Sequence, residues 1–205
     1  MSDRPRPAYE KSVFINCPFD PDFRDLLLAI VFSVAAHGFV PRSARETEGT
    51  AEPRISRILQ TLAGSKYSIH DLSRFSGEGA DNLSRFNMPL ELGMAAALRF
   101  ERMGTTRPHN WLVLVPDGYL HQRFISDLAG FDPGKHTHSP SSVIREISAW
   151  LRLQPDVIAP APSALEIHTA FGDFCNHVGT LRTAALEKES WADLLLATHR
   201  TVPRA

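Results

Sequence analysis

Asn110-Trp-Leu-Val-Leu-Val115 is an almost wholly apolar stretch that ends at Pro116, and it decides the fold. Its length is that of an ordinary strand, and a proline at its end stops the strand pattern. A strand that is apolar on both sides is typical of a parallel sheet with helices on both faces. The stretch therefore predicts a central strand of an α/β domain.

Shorter apolar runs and helical patterns alternate upstream of this strand. The predicted strands are Ser12-Val-Phe-Ile-Asn16, residues 39–44 and Tyr67-Ser-Ile-His-Asp71. The first predicted helix begins after Asp20 or Asp22, the second spans residues 51–63, and the third runs from Pro89 to about Arg102. Alternation of this kind predicts a parallel sheet flanked by helices.

The pattern continues downstream, with a short helix predicted over 119–129, a fifth strand near 130–136 and a helix over 142–153. Residues 73–86 contain Gly77 and Gly79 and predict a long exposed loop. Residues 154–162 contain three prolines and predict a linker. The Rossmann-like domain is therefore expected to span 1–153, followed by a C-terminal helical segment over 163–205.

Six apolar residues of that C-terminal segment are spaced alternately by four and by three. They are Ile167, Phe171, Phe174, Val178, Leu181 and Ala185. This is a heptad-like seam, which predicts a helix with one apolar face. The helix either folds back on its own domain or pairs with a partner. The second alternative predicts a homo-oligomer, or a partner protein bound through residues 163–200.

Composition limits the classes of function. The chain has 205 residues, 43% of them hydrophobic, and a formal net charge of −1, so bulk charge indicates neither a nucleic acid polymer nor an anionic membrane as partner. The apolar stretch over 26–36 is too short to span a bilayer. The polar residues 1–11 do not resemble a signal peptide. Cys17 and Cys175 belong to no recognisable motif. A cytoplasmic location is expected.

Ligands of open parallel sheets bind beyond the carboxyl ends of the strands, where the strand order reverses. In such a chain that point usually lies between the first and third strands. The polar and turn residues at these ends form the candidate site. They are Asn16, Pro18, Phe19 and Asp20 after the first strand, Arg42 and Glu46 after the second, Asp71, Ser73 and Arg74 after the third, and Arg85, Asn87 and Glu91 around the start of the next helix.

Glu91 is the principal catalytic candidate. Met88 precedes a proline, so Pro89 is expected to be the first helical residue and Glu91 the third. A glutamate there is favoured by the helix dipole for structural reasons alone. The functional alternative is that the positive helix end keeps Glu91 ionised. An ionised carboxylate at that position can attack, or stabilise, a developing sugar cation.

Asp71 is the second catalytic candidate, because a carboxylate that ends an apolar strand rarely serves packing. Its structural alternatives are capping the following loop or pairing with Arg74 or Arg85. Its functional alternatives are binding a ribose hydroxyl or donating a proton to a leaving base. The arginines of the candidate site can supply phosphate contacts.

No metal or cofactor is predicted. The sequence contains no P-loop and no Gly-x-Gly-x-x-Gly after the first strand, so a conventional dinucleotide redox site is not expected. The nine histidines include His136 and His138 on a predicted loop, but none of them forms a recognisable metal-ligand pattern. Cys17 has no neighbouring base in the sequence and is expected to be a small buried side chain.

Three stretches carry a resemblance to known families: Val13-Phe-Ile-Asn-Cys-Pro-Phe19, Asp71, and Pro89-Leu-Glu-Leu-Gly-Met-Ala95. Their layout resembles that of nucleoside 2-deoxyribosyltransferases and the related deoxynucleoside-monophosphate N-glycosidases. It is also similar to bacterial TIR-like domains. The chain further resembles a set of uncharacterised bacterial proteins over 14–20, 69–74, 85–93 and 127–153.

The resemblance implies a flavodoxin-like parallel sheet, a nucleophile role for Glu91 and the aspartate role for Asp71. It implies an enzyme that hydrolyses or transfers an N-glycosidic bond of a nucleotide, a nucleoside or NAD, with a role in bacterial defence implied by the TIR-like likeness. The alternative expectation is a sensor that binds a nucleotide or signal molecule without turnover and relays its presence through the C-terminal helix.

Overall fold

A computed structural model describes residues 8–47, 51–74, 86–118, 125–128, 130–157, 159–185 and 189–203. Within these residues one sheet contains the strands β1 (Ser12–Asn16), β2 (Val40–Arg42), β3 (Tyr67–Asp71), β4 (Asn110–Pro116) and β5 (Gly134–His136). The strand order is β2-β1-β3-β4-β5 and every pairing is parallel. This is the flavodoxin-like order, so the predicted α/β fold is confirmed.

Helices cover both faces of the sheet. They are α1 (Arg24–Ala36), α2 (Arg54–Ala63), α3 (Asn87–Glu101), α4 (Pro140–Leu151), α5 (Ala164–Ala184) and α6 (Trp191–Thr201). Val13 and Ile15 of β1 belong to the core beneath α1 and α4, whereas Phe14 belongs to the core beneath α2 and α3. The alternation of side chains along one strand thus supplies both cores, as expected for a strand that is buried on each side.

The element boundaries differ from the prediction for local reasons. The Asp20 side chain accepts a hydrogen bond from the Phe23 N–H, but it caps a short 3-10 helix over Pro21–Phe23 that leads into α1. α2 begins at Arg54 rather than at residue 51, because Pro53 has an extended backbone and acts as the N-cap. The fifth strand lies at Gly134–His136, inside the predicted region.

The C-terminal helices form a third layer on the α1–α4 side. The seam residues Ile167, Phe171, Phe174 and Val178 are buried, and the Phe174 ring stacks on Phe32 of α1 with 4.7 Å between centroids. The Trp191 indole N–H donates to the Pro41 carbonyl oxygen across 3.3 Å. The seam packs on its own domain, which is the first alternative of the sequence prediction. Its buried residues are not available to a partner, and an interface through 163–200 that uses the seam is not what the structure shows.

Two sequence predictions fall partly outside the described residues. Of the predicted loop over 73–86, residues 75–85 lie outside them. Of the predicted helix over 119–129, residues 119–124 and 129 lie outside, and the described part forms a short 3-10 helix, Ser126–Leu128. Throughout the part of the chain that is described, no helix combines the length and apolarity needed to cross a membrane.

Candidate active site at the carboxyl edge of the sheet

The strand order reverses between β1 and β3, so the crevice of the sheet opens where these two strands end. Asn16, the last residue of β1, lies opposite His70 of β3 in the parallel register. Asp71 follows His70 directly and ends β3. The candidate residues of both strands therefore meet at the edge at which ligands of this fold bind.

Helix α3 starts two residues earlier than predicted. Asn87 is its first residue and the Leu90 N–H donates to the Phe86 carbonyl oxygen, so Glu91 is the fifth helical residue. Pro89 fits because the first N–H groups of a helix have no intrahelical partner, and the ring removes a donor that is not needed. The prediction that Pro89 opens the helix and that Glu91 is its third residue is wrong.

The Glu91 side chain is only 5% exposed and forms no hydrogen bond within the described parts of the chain. Burial raises its pKa to about 7, although the positive charge of Arg54 acts in the opposite direction. In contrast to the functional alternative given above, the positive helix end therefore does not keep Glu91 fully ionised. Near neutral pH this carboxyl group is divided between its charged and neutral forms.

The Asp71 carboxylate is completely buried, and one of its two oxygens has a hydrogen-bond partner within the described residues. Its Oδ1 accepts a hydrogen bond of 2.8 Å from the Ser73 N–H, which caps the following loop. Its Oδ2 lies 3.0 Å from Nε2 of His136. Arg74 does not pair with it, because the Arg74 guanidinium lies 2.5 Å from Asp20. Without exposed surface, Asp71 does not contact a ligand directly in this conformation.

The charges of Glu91 and Asp71 both act on a third buried group, the Cys17 thiol. Burial raises the pKa of Cys17 well above its usual range, and the negative charges of Asp71, Glu91 and Asp20 raise it further. That Glu91 and Asp71 share one crevice stays a prediction. Cys17 stays a neutral thiol and is a poor nucleophile there.

A buried hydrogen-bond chain runs along β3 beneath α3. The Asn16 amide donates to the Met88 carbonyl oxygen and to His70 Nδ1, each across 3.0 Å. His70 Nε2–H then donates to Ser68 Oγ, and the Ser68 hydroxyl donates to His109 Nε2, each across 2.9 Å. The chain ends where His109 Nδ1–H donates to the Ser65 carbonyl oxygen across 3.0 Å.

The direction of this chain follows from the charge state of its histidines. Burial lowers the pKa of His70 to about 3 and that of His109 to about 4, so both rings are neutral. A neutral ring has one donor and one acceptor nitrogen, and the partners decide which is which. Sequence reasoning missed both histidines. The available signal was a polar residue at two alternate positions, 68 and 70, of an otherwise apolar strand.

Two cavities open at this edge of the sheet. One, of about 290 Å³, is lined by Pro18, Phe19, Asp20, Arg54, Arg74, Asn87 and Met88. The other, of about 270 Å³, is lined by Asp22, Phe23, Asp25, Leu26, Ser73, Arg74, His138 and Pro140. Each approaches the lower end of the size range of small-molecule sites. Arg74 lines both.

Most of the predicted binding residues are brought together here. Pro18, Phe19, Asp20, Arg74 and Asn87 line the larger cavity, and Ser73 lines the smaller one. Asn16 is buried below them, and its Oδ1 accepts no hydrogen bond within the described residues.

Three predicted residues are not part of this grouping. Arg42 and Glu46 form an ion pair of 2.7 Å with each other near the end of β2 and line neither cavity. Their binding role is not supported, because each is the other's partner. Arg85 lies outside the described residues.

Within the described residues, no cluster of three or more His, Cys, Asp or Glu side chains is arranged to hold a metal ion. No protein-family model matches the sequence, and a comparison with curated proteins finds no match either. The resemblance given by the motifs therefore stays a prediction, and the candidate site has to be interpreted from its own chemistry.

Proposed function

We propose that the protein is an enzyme that hydrolyses or transfers the N-glycosidic bond of a nucleotide, a nucleoside or NAD. The observation that carries the proposal is Glu91, a buried carboxyl group without a hydrogen-bond partner among the described residues and with a pKa of about 7. A buried carboxylate with a strongly shifted pKa at the switch point of an α/β sheet is typical of a catalytic group.

In the proposed reaction, ionised Glu91 attacks the anomeric carbon or stabilises the positive charge that develops there. The bond between this carbon and the base nitrogen breaks, and its electron pair leaves with the base. Water, or a ring nitrogen of an acceptor base, then attacks the same carbon, and the bond to Glu91 breaks with release of the carboxylate. Because only the carboxylate form can attack, kcat/KM should rise with pH through an apparent pKa near 7.

The surrounding residues suit the parts of such a substrate. The unpaired Asn16 Oδ1 can accept a hydrogen bond from a sugar hydroxyl. The Phe19 ring lines the larger cavity and offers a surface for a base, while Arg54 and Arg74 offer guanidinium groups for phosphate. Asp71 has a different role from the one expected, since it is buried. We assign it as a positioning residue that orients Ser73 and His136.

The direct test is a search for released base. Purified protein at high concentration is incubated with pooled nucleosides, nucleotides and NAD, and the products are identified by mass spectrometry. Release of one base that the Glu91→Gln variant does not catalyse is the expected result. The exposed Glu10→Gln variant is the matched control and should keep full activity. The proposal fails if no base is released, or if Glu91→Gln is as active as the parent protein.

A second candidate function is a sensor that binds a nucleotide or signal molecule without turnover. The observation that favours it is that neither Glu91 nor Asp71 is among the residues that line the two cavities, while Asp20, the carboxylate of the larger one, is paired with Arg74. In that case calorimetry detects binding of a nucleotide whose mass does not change, and Glu91→Gln alters affinity alone.

A role in bacterial defence and a cytoplasmic location belong to the proposal and depend on which substrate is found.

A further inference from the structure

Helix α3 presents an apolar stripe to solvent on the side opposite the sheet. The stripe, which we term the α3 face, consists of Phe86, Leu90, Gly93, Ala97 and Phe100. Phe86 is 74% exposed, Leu90 56% and Phe100 55%. Their spacing alternates between four and three residues, which is the spacing of a helix–helix seam. Glu91 is the charged residue between 87 and 98, and it points towards the sheet.

Helix α2 widens this surface. Ile55 and Leu59 are exposed. The Arg57 guanidinium donates to the Ala44 carbonyl oxygen and so marks the flank of α2 that faces the β2 side. Ile55 and Leu59 lie on the opposite flank, towards α3, against which α2 packs. Exposed apolar side chains on two helices that pack against each other are typical of a protein–protein interface.

Gly93 leaves room for another chain to approach α3 closely. A glycine inside a helix costs about 0.5–1 kcal/mol relative to alanine. Nothing in the described structure requires a glycine there, because a Cβ added at Gly93 would meet no atom within 4 Å. The open space lets another chain approach the helix backbone closely at this point.

The α3 face is complementary to itself when two copies run antiparallel. With the two-fold axis beside Gly93, Leu90 of each copy faces Ala97 of the other and the two Gly93 residues lie next to the axis. A large side chain thus meets a small one on each side of the axis, which lets the helices interdigitate. The contact between Leu90 and Ala97 occurs twice, as required of a two-fold interface.

The charges near the two ends of α3 also favour the antiparallel arrangement. Glu101 is exposed at the C-terminal end of α3, while the first turn of α3 has no acidic residue and no side-chain cap. Arg54, whose positive charge acts on Glu91, lies near this N-terminal end. Antiparallel pairing brings Glu101 of each copy to the positive end of the other.

We propose that two copies of this chain associate through the α3 face, antiparallel, about a two-fold axis near Gly93. The proposal does not depend on the proposed activity. Because Arg54 and Asn87 at this end of the surface also line the larger cavity, the second copy would lie beside the cavity opening.

The first test measures the oligomeric state by sedimentation velocity from low to high micromolar concentration. The parent protein should form dimers. Ala97→Arg places an unpaired charge opposite Leu90 and should weaken dimerisation by about a hundredfold or more. Leu165→Arg, at an exposed position on α5, is the matched control and should dimerise normally. Both substituted side chains are exposed, so circular dichroism and melting should match the parent protein.

The second test measures the register by cysteine cross-linking with a short bis-maleimide, in a Cys175→Ser background that keeps the buried Cys17. In an antiparallel two-fold pair only central residues meet their own copies. Gly93→Cys should therefore cross-link to itself and Phe100→Cys should not. A parent protein that is monomeric at every concentration, a dimer that Ala97→Arg does not weaken, or self-cross-linking at Phe100→Cys would each overturn the proposal.

Discussion

The ring of His136 on β5 contacts the carboxylate of Asp71 on β3, with 3.0 Å between Nε2 and Oδ2, although β4 lies between these strands. Neither side chain has exposed surface. The His138 N–H donates to Nδ1 of His136 across 3.3 Å, and Nε2 forms a hydrogen bond of 3.3 Å with the Ser73 hydroxyl, whereas Asp71 Oδ2 has no hydrogen-bond partner within the described residues. Asp71 also holds the Ser73 N–H. The pair thereby fixes both loops that border the smaller cavity, since Ser73 and His138 line it.

Replacing His136 by alanine should destabilise the protein by about 3 kcal/mol, because it removes a fully buried ring and takes away the imidazole that lies 3.0 Å from the buried Asp71 carboxylate. Urea denaturation measures the change. His138→Asn is the control, since asparagine tolerates the positive φ of 54° at this exposed position. It should change stability by less than about 0.5 kcal/mol. Equal effects of the two variants would show that the contact between His136 and Asp71 contributes nothing to the free energy of unfolding.

The sequence contained enough information for the sheet and for one side of the candidate site. Apolar runs such as 110–115 identify buried strands because burial on both faces demands them. The strand ends then place Asn16 and Asp71 at one edge without knowledge of the loops.

The sequence could not reveal which groups are already bonded to each other. The link between Asp71 and His136 joins residues far apart along the chain and depends on a short strand with a weak pattern. The start of α3 was misjudged because the local rule against helix before proline is only a preference, and the Leu90–Phe86 hydrogen bond outweighs it. Burial of Glu91, which raises its pKa to about 7, depends on packing that no local pattern encodes.

The buried hydrogen-bond chain beneath α3 predicts that two similar substitutions lower the free energy of unfolding by different amounts. Ser68→Ala removes the hydroxyl between His70 and His109 and leaves both ring nitrogens without a partner, so it should cost about 2–4 kcal/mol. Ser148→Ala also removes a buried hydroxyl, but one with no hydrogen-bond partner in the described residues. It should be neutral or slightly stabilising. Equal losses of stability for the two variants, measured by urea denaturation, would contradict the proposed role of the hydrogen-bond chain.

The third layer predicts that the C-terminal helices unfold together with the sheet. Phe174→Ala removes a fully buried ring that stacks on Phe32, and it should cost about 3–5 kcal/mol in a single cooperative transition. Leu165→Ala, on the exposed side of the same helix, should change stability by less than about 0.5 kcal/mol. Two separate calorimetric transitions in the parent protein would show instead that α5 and α6 fold as an independent unit.

Glu91 should lower the stability of the protein more as the pH rises. Its pKa is about 7 in the folded chain, against about 4.3 in an unfolded one, so folding favours its neutral form. The favourable contribution of the neutral group is complete below pH ~4.3 and is lost as pH rises through about 7. Glu91→Gln has no charge to bury and gives up no hydrogen bond to the described residues. Its free energy of unfolding should therefore match that of the parent protein near pH 4.5 and exceed it by about 3 kcal/mol at pH ~8.5. Urea denaturation across this range measures the difference.

The exposed Glu10→Gln variant should show a constant difference near zero. A Glu91→Gln difference that does not grow with pH would mean that the carboxylate is solvated or paired when charged, which would remove the main argument for a catalytic role.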